Sequence, residues 1–343
     1  LEPLPDMDFN IRCGNTLVGY ATEAQFDAIG RGKLEYGEQQ DRKAEIKATI
    51  ADLTDLFGRF REQQTIHGGS VTAEDKNHLR AKLNGLSLDL DQYLAIDYGI
   101  DPKNAGAFEV WRKNYQPFHW FAEFYGIMRE GGFDVIIGNP PWKEYTAVRS
   151  WYRVNGYRTE SCGNLYGMCT ERSLSLCHEL SHFSFIVQLP IVCSSRMCVV
   201  RETLRMSSAM LWVITFDDRP GKLFDGLEHC RSTIFIVKRG QLNCCLYTSG
   251  YQRWLSVSRN VLFEYLSFVI EADSTQPGRI IAKHADEHSL SVFRKMREAT
   301  TRSLESFRVR RESSSFVFYQ EATGYWTKVT SILPYYAKNG IRS

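Results

Sequence analysis

The sequence predicts an α/β protein organised around a partly parallel sheet, and three observations carry that prediction. Phe133-Asp-Val-Ile-Ile137 is a short β-branched run without polar alternation, as expected of a strand covered on both faces. Strand-like runs at Phe183–Leu189, Leu211–Phe216 and Ser232–Lys238 alternate with helix-like stretches over 164–180 and 195–206, a rhythm that places helices on both faces of a sheet. The composition, 43% hydrophobic and 24% charged over 343 residues, is that of a globular chain long enough for one large domain or two ordinary ones.

Taken in order, residues 1–36 form a first segment, in which 1–23 read as a turn, a short strand and a turn, with Asn10-Ile-Arg-Cys-Gly-Asn15-Thr-Leu-Val-Gly19 extended and punctuated by glycine. Residues 37–98 read as a helical insertion. Ile46, Ile50, Leu53, Phe57 and Phe60 mark one helical stripe, and His67-Gly-Gly-Ser70 stops it. Thr72-Ala-Glu-Asp75 then caps a second helix carrying Leu79, Leu83 and Leu86. The insertion reads as a solvated structural hairpin or as a protein-docking arm. Residues 99–240 hold the sheet described above. Within them, the aromatic stretch Pro117–Glu130 reads as a core helix with His119 a satisfied core histidine, and Gly131-Gly132 ends it. From 241 to 343 the pattern weakens into short aromatic runs, turns and arginine-rich segments, which fit a second, smaller unit.

Several classes are excluded. No apolar run approaches the ~20 residues of a membrane span, and the first residues have no basic-then-apolar signal pattern. Nine cysteines without a Cys-x-x-Cys pair point to reduced thiols and a cytoplasmic protein. No nucleophile elbow and no Walker loop is present. His284 and His288, and Cys177-His178 with His182, lack further ligands at metal-site spacing, so no metal is expected. The net charge of +2 is unevenly spread: residues 1–160 hold 19 basic and 24 acidic side chains, residues 161–343 hold 23 and 16. A basic second half permits a polyanionic partner.

The most informative stretch is Asn139-Pro140-Pro141-Trp142, directly after the Phe133–Ile137 run and Gly138. Ligands of open α/β sheets bind outside the carboxyl ends of the strands. Two prolines fix φ near −65° and remove two N–H donors, so the Pro140 carbonyl is held rigidly. With the Asn139 side-chain carbonyl, it presents two acceptors to an amino group with two hydrogens. Trp142 adds a flat surface beside them. An exocyclic amine on a flat heterocycle satisfies all three features; a rigid turn with a core tryptophan is the plainer alternative.

These residues resemble those of the gamma-type N6-adenine DNA methyltransferases of type II and fused restriction–modification enzymes and related phage-defence systems. The resemblance extends to Ser161-Cys-Gly-Asn-Leu-Tyr-Gly167 with Glu171-Arg172, to Phe185-Ile-Val-Gln-Leu-Pro190, and to Arg219-Pro-Gly-Lys-Leu-Phe224 leading into Arg231–Val237. It implies a Rossmann-like methyltransferase sheet and S-adenosylmethionine as cofactor. It further implies a duplex DNA substrate whose target adenine is flipped out of the helix, its amine attacking the cofactor's methyl group in line. Carried over, Asn139, Pro140, Pro141 and Trp142 form the catalytic turn. Phe224, Asn164 and Tyr166 bind the target base, and Gly14 and Asn15 contact the cofactor, although the family usually has Asp where Asn15 stands. The basic, aromatic-rich stretch containing Arg308, Arg310 and Arg311 is expected to meet DNA as the start of a target-recognition region at 241–343.

One departure stands out. The family's glycine-rich cofactor turn, followed by an acidic residue on the next strand, has no counterpart here; Gly30-Arg-Gly32 and Gly68-Gly69 follow no apolar strand. The chain therefore reads as the second part of a methyltransferase domain, a partial sheet completed by an upstream polypeptide and inactive alone. A non-catalytic DNA-binding remnant, or an enzyme methylating protein glutamine or an RNA amine, would share the same acceptor chemistry.

Overall fold

The computed structural model describes residues 10–28, 43–53, 55, 56, 58, 73–227, 230–240, 244–271, 278–299, 318, 319, 329 and 330. It comprises a large unit, Leu1–Leu290, and a small one, Ser291–Ser343. In the small unit, Phe318–Tyr319 pairs antiparallel with Val329–Thr330. Arg308, Arg310 and Arg311 lie outside the described residues.

The large unit is built on six strands: β1 (Phe133–Gly138), β2 (Cys177–Gln188), β3 (Ser208–Phe216), β4 (Ser232–Arg239), β5 (Cys245–Gln252) and β6 (Val269–Glu271), in the order β1-β2-β4-β3-β5-β6. β1 and β2 are parallel, as are β3 and β5. β4 runs antiparallel between β2 and β3, and β6 adds antiparallel to β5. The α/β class and a partial Rossmann-like sheet form as the sequence predicts, with three differences.

The first concerns the helix expected over 164–180, which ends early. α7 spans Leu165–Leu176, and the chain turns directly into β2 at Cys177, because Cys177 pairs with Phe133 at the start of β1. Pairing with a neighbouring strand here outweighs the local helical pattern. A second difference is that the sheet continues past Gly240: the segment expected to open a recognition region begins with two strands of the same sheet. The third concerns the faces. Phe183, Phe185 and Val187 on β2, Leu211 and Val213 on β3, and Phe235 and Val237 on β4 are buried in one core with α7 and α9 (Cys198–Met206). Phe183, Phe185 and Phe235 meet edge to face, and burying each such side chain stabilises the fold by roughly 1.5–3 kcal/mol. Helices were expected on both faces, but α7 and α9 share this one. On the opposite face Ile137, Ser184, Ile236, Trp212, Tyr247 and Ile270 fall in a single cross-strand row. Trp254 and Leu262 cover Ile214 and Phe216 at one end of that face. The rest is partly open, and on β1 Val135 is 63% and Ile137 82% exposed.

Within the segment expected as an insertion, the described residues form helices. α1 (Glu23–Asp27) precedes α2 (residues 43–53) and α3 (Ala73–Asp97), a 25-residue helix. Ile46, Ile50 and Leu53 are buried in the same core as Leu79, Leu83 and Leu86. Phe57 and Phe60 lie outside the described residues. The insertion is not detached from the body: Phe26 on α1 packs against Tyr93 of α3 and Phe121, and Lys47 pairs with Asp27 at 2.7 Å.

The aromatic stretch is broken into α5 (Trp120–Glu123) and α6 (Tyr125–Arg129), following α4 (Ala105–Tyr115). His119 is the satisfied core histidine expected. The Tyr20 N–H donates to its Nδ1 (3.3 Å), so Nε2 carries the proton and donates to Asp91 (3.1 Å), which also accepts from Arg112 (2.7 Å). Gly132 (φ +115°) makes the turn into β1, where a Cβ would collide with the Leu176 carbonyl. Among the described residues no helix is long and apolar enough to cross a membrane.

Candidate active site

β1 ends at Gly138, and the Asn139-Pro-Pro-Trp142 turn leaves its carboxyl end at the sheet edge. Pro140 is buried, whereas Asn139 and Pro141 are exposed, so the asparagine amide is open to solvent. Trp142 is half-buried and anchored: its indole Nε1–H donates to the Ile186 carbonyl on β2 at 3.2 Å. This bond ties the ring to β2.

Phe224 reaches the same place from a distant part of the sequence. Its ring centroid lies 5.2 Å from that of Trp142, with the planes at 87°. The fold thus brings the two predicted stacking residues together, edge to face rather than parallel. The loop bearing Phe224 follows β3 and is fastened by the Gly221 N–H to the Trp254 carbonyl (2.8 Å) and by Arg259 to the Leu223 carbonyl (2.7 Å). At its base sits Asp217, 4% exposed in its side chain, accepting from Arg253 (2.7 Å), Arg231 (3.2 Å) and the Tyr251 hydroxyl (3.1 Å). Burial opposes the charge on Asp217. The Asp218 N–H and Arg253, together with Tyr251, outweigh it and hold the carboxyl below its usual range.

The chain after Trp142 is tied to the turn before α7. The Leu165 N–H donates to the Lys143 carbonyl and the Tyr145 N–H to the Gly163 carbonyl, both at 2.9 Å. Glu144 accepts from Arg196 at 2.7 Å on each carboxylate oxygen and from Asn164 Nδ2 at 3.0 Å. The Arg196 hydrogen bonds, foremost, hold the Glu144 carboxyl below its usual range. Asn164 is buried, and its Oδ1 caps α7 by accepting from the Tyr166 N–H. In this structure Asn164 therefore braces the segment that follows the Asn139–Trp142 turn through Glu144. Tyr166 is fully buried in the first turn of α7; burial pushes its phenol up, and its hydroxyl has no hydrogen-bond partner among the described residues.

Gly14 and Asn15 are placed in a turn rather than the expected strand, where Asn15 makes a single parallel bridge to Pro117. Asn15 Oδ1 accepts from the Leu17 N–H at 3.1 Å, and Gly14 lies so close to Phe118 that a Cβ would approach its ring to 2.7 Å. A cavity of about 340 Å³ lies beside them, lined by Asn10, Thr16, Phe118, Trp120 and Phe124 among others. These side chains offer an aromatic wall to a planar group. Among the described residues no glycine-rich turn follows a strand.

His284 precedes α10 (Glu287–Ala299) and is buried, while His288 is exposed, so the pair shares no helical face. Sequence reasoning missed the Glu144–Arg196 and Asp217–Arg253 pairs. The Asp217-Asp218 doublet ending an apolar strand was the one local signal for the second; the first had none, since its partners are 52 positions apart.

An Asn-Pro-Pro-Trp turn thus sits at the carboxyl end of a parallel strand, with a second aromatic brought against its tryptophan. Residues 48–219, half of the sequence, match the family described as Eco57I restriction-modification methylase, and the chain belongs to that family. The matched segment runs from within α2 through Trp142 and stops before Phe224.

A putative type II restriction enzyme and methyltransferase of Methanocaldococcus jannaschii is 26% identical over 175 residues, covering 40% of this chain and 15% of that protein. The chain thus spans about 15% of the length of this curated relative. Among solved structures, the DrdV–DNA complex is 13% identical over 51% of this chain and 19% of its own, with a TM-score of 0.33. A nuclease-deletion mutant of the Type ISP restriction-modification enzyme LlaGI with a DNA substrate mimic is 11% identical over 68% and 27%, with a TM-score of 0.35. These scores mark distant resemblance only.

Proposed function

We propose that the chain is the target-adenine half of a site-specific DNA methyltransferase that modifies adenine N6 in duplex DNA, serving restriction–modification or phage defence in the cytoplasm. The observation that carries this reading is the convergence of Asn139, Pro140 and Trp142 at the end of β1 with Phe224 delivered over Trp142. The Asn139 amide oxygen and the Pro140 carbonyl accept the two N–H bonds of the adenine amine, and Pro141 keeps the turn from relaxing into a helix. Trp142, oriented through Ile186, offers its face to a base displaced from the helix. Phe224 supplies the opposing surface. Tyr166 and Asn164 support the pocket from beneath, Asn164 by way of Glu144.

The proposed methyl donor is S-adenosylmethionine, which supplies an activated methyl group. Gly14 and Asn15 would contribute one side of its site, and an upstream polypeptide the glycine-rich remainder. The open outer edge of β1 and the exposed Val135 and Ile137 beside it support an added α/β segment there. Arg308, Arg310 and Arg311 are proposed to contact DNA phosphates.

The test is methyl transfer from radiolabelled S-adenosylmethionine by a polypeptide that includes the upstream complement. Label at adenine N6 of duplex DNA, abolished by Asn139→Ala, is expected. Label on a protein glutamine or on RNA instead, or full activity of Asn139→Ala, would overturn the assignment.

A further inference from the structure

We propose that the cavity beside the Phe224 loop is a phosphodiester subsite, which holds the DNA backbone next to the displaced adenine. The proposal rests on the adenine-DNA reading and adds a ligand contact that the reading does not contain.

The cavity, about 540 Å³, is lined by Arg219, Lys222, Trp254, Ser256 and Arg259, with Asp218 and Asp225 at its wall. Three cationic side chains stand against these two carboxylates, so the lining keeps a net positive charge. Asp218 is 7% exposed in its side chain and already accepts from Arg231 at 3.3 Å. Asp225 is 90% exposed and stands 3.9 Å from Arg259, beyond hydrogen-bonding distance. The Lys222 ammonium has no salt-bridge partner among the described residues. Arg259 spends part of its fork on the Lys222 and Leu223 carbonyls, which fixes the loop in place. The remaining N–H groups of Arg259, the Lys222 ammonium and the Ser256 hydroxyl are donors suited to phosphate oxygens.

Position gives the ligand its identity. Lys222 is two residues from Phe224, which touches Trp142. A base swung out of a duplex stays joined to its sugar and flanking phosphates. Stacking it on Trp142 therefore draws a phosphodiester alongside the loop that carries Lys222. A cationic cavity fastened to the same loop as the stacking ring couples backbone capture to base capture, and phosphate contacts of this kind fix register on the duplex.

The test is equilibrium binding of a fluorescein-labelled mixed-sequence DNA duplex to the full chain across a salt series. Lys222→Gln is expected to make the plot of log K against log salt shallower by about 0.9, the loss of one phosphate contact. Lys103→Gln, remote and exposed, should leave the slope unchanged. An unchanged slope for Lys222→Gln, or no binding by the parent chain, overturns the subsite. Trp142→Ala reports on the base site separately, with a duplex holding a mismatched adenine. If it has no effect while Lys222→Gln still lowers the slope, the adenine reading fails and the backbone subsite stands.

Discussion

Trp142 and Phe224 touch, but a purine cannot lie between them as they stand. A sandwich of three parallel rings needs the outer planes about 7 Å apart, twice the ~3.5 Å contact distance, whereas these centroids are 5.2 Å apart with the planes perpendicular. Trp142 is fixed by its bond to Ile186, so Phe224 is the ring that has to turn. Gly226, at φ +81°, lies two residues beyond it in a conformation that side chains disfavour. Trp142→Ala should weaken capture of a displaced 2-aminopurine by about 1–3 kcal/mol, read as fluorescence quenching in the reconstituted enzyme. Trp142→Phe should keep most of the stack while losing the Ile186 bond. Equal losses in both variants would mean that the hydrogen bond, not the ring face, is what matters. Glu144 gives a pH prediction. Its folded carboxyl titrates below the usual 4.5, held down by Arg196, so the stabilisation is present above that value and lost as pH falls through the lower folded one. The melting temperature of the parent chain should therefore drop more steeply below pH 4.5 than that of Glu144→Gln. Parallel curves would show that the pair contributes nothing to folding.

At the scale of elements, what was legible in the sequence depended on whether the signal was local. β1 was readable because an unbroken Val-Ile-Ile run followed by Gly-Asn-Pro-Pro leaves few alternatives. The paired helices of the insertion were readable because Ile46, Ile50, Leu79 and Leu83 keep helical spacing, and these residues are buried as that spacing requires. Leu83→Ala should cost about 2–5 kcal/mol in urea unfolding, a cavity cost that a detached, solvated arm would not show. The start of β2 was not legible, since Cys177–Leu180 joins the sheet through Phe133, more than 40 positions earlier. β5 and β6 were missed for a similar reason. Cys-Leu-Tyr-Thr-Ser-Gly-Tyr-Gln alternates weakly, and its place is set by parallel pairing with β3. In the candidate site, the four-residue turn was marked by its residue types and Phe224 only by the resemblance of its segment. The Glu144–Arg196 brace was not legible, and of the Asp217 cluster only the acidic doublet showed, because a sequence does not mark which distant cations a fold will bring to 2.7 Å.

For the large unit as a whole, the informative feature is an asymmetry between the two faces of its sheet. One carries phenylalanines interlocked beneath α7 and α9. The other runs Ile137, Ser184, Ile236, Trp212, Tyr247 and Ile270 across all six strands and ends at an edge strand whose side chains are largely in water. β-branched residues at a bare parallel edge are an aggregation liability unless another segment covers them. The proposed upstream complement would do so by adding a strand beside β1 and packing apolar side chains against the row. Replacing Val135 and Ile137 together with lysine separates this from a role in folding. Both side chains are mostly exposed, so the isolated chain should unfold within about 0.5 kcal/mol of the parent, and its tendency to self-associate in sedimentation should fall. Mixed with the upstream segment, the same variant should neither co-purify nor recover methyl transfer, while the parent does both. A variant that is strongly destabilised alone would show that the residues are already core. One that reassembles as well as the parent would show that the edge of β1 is not where the complement binds.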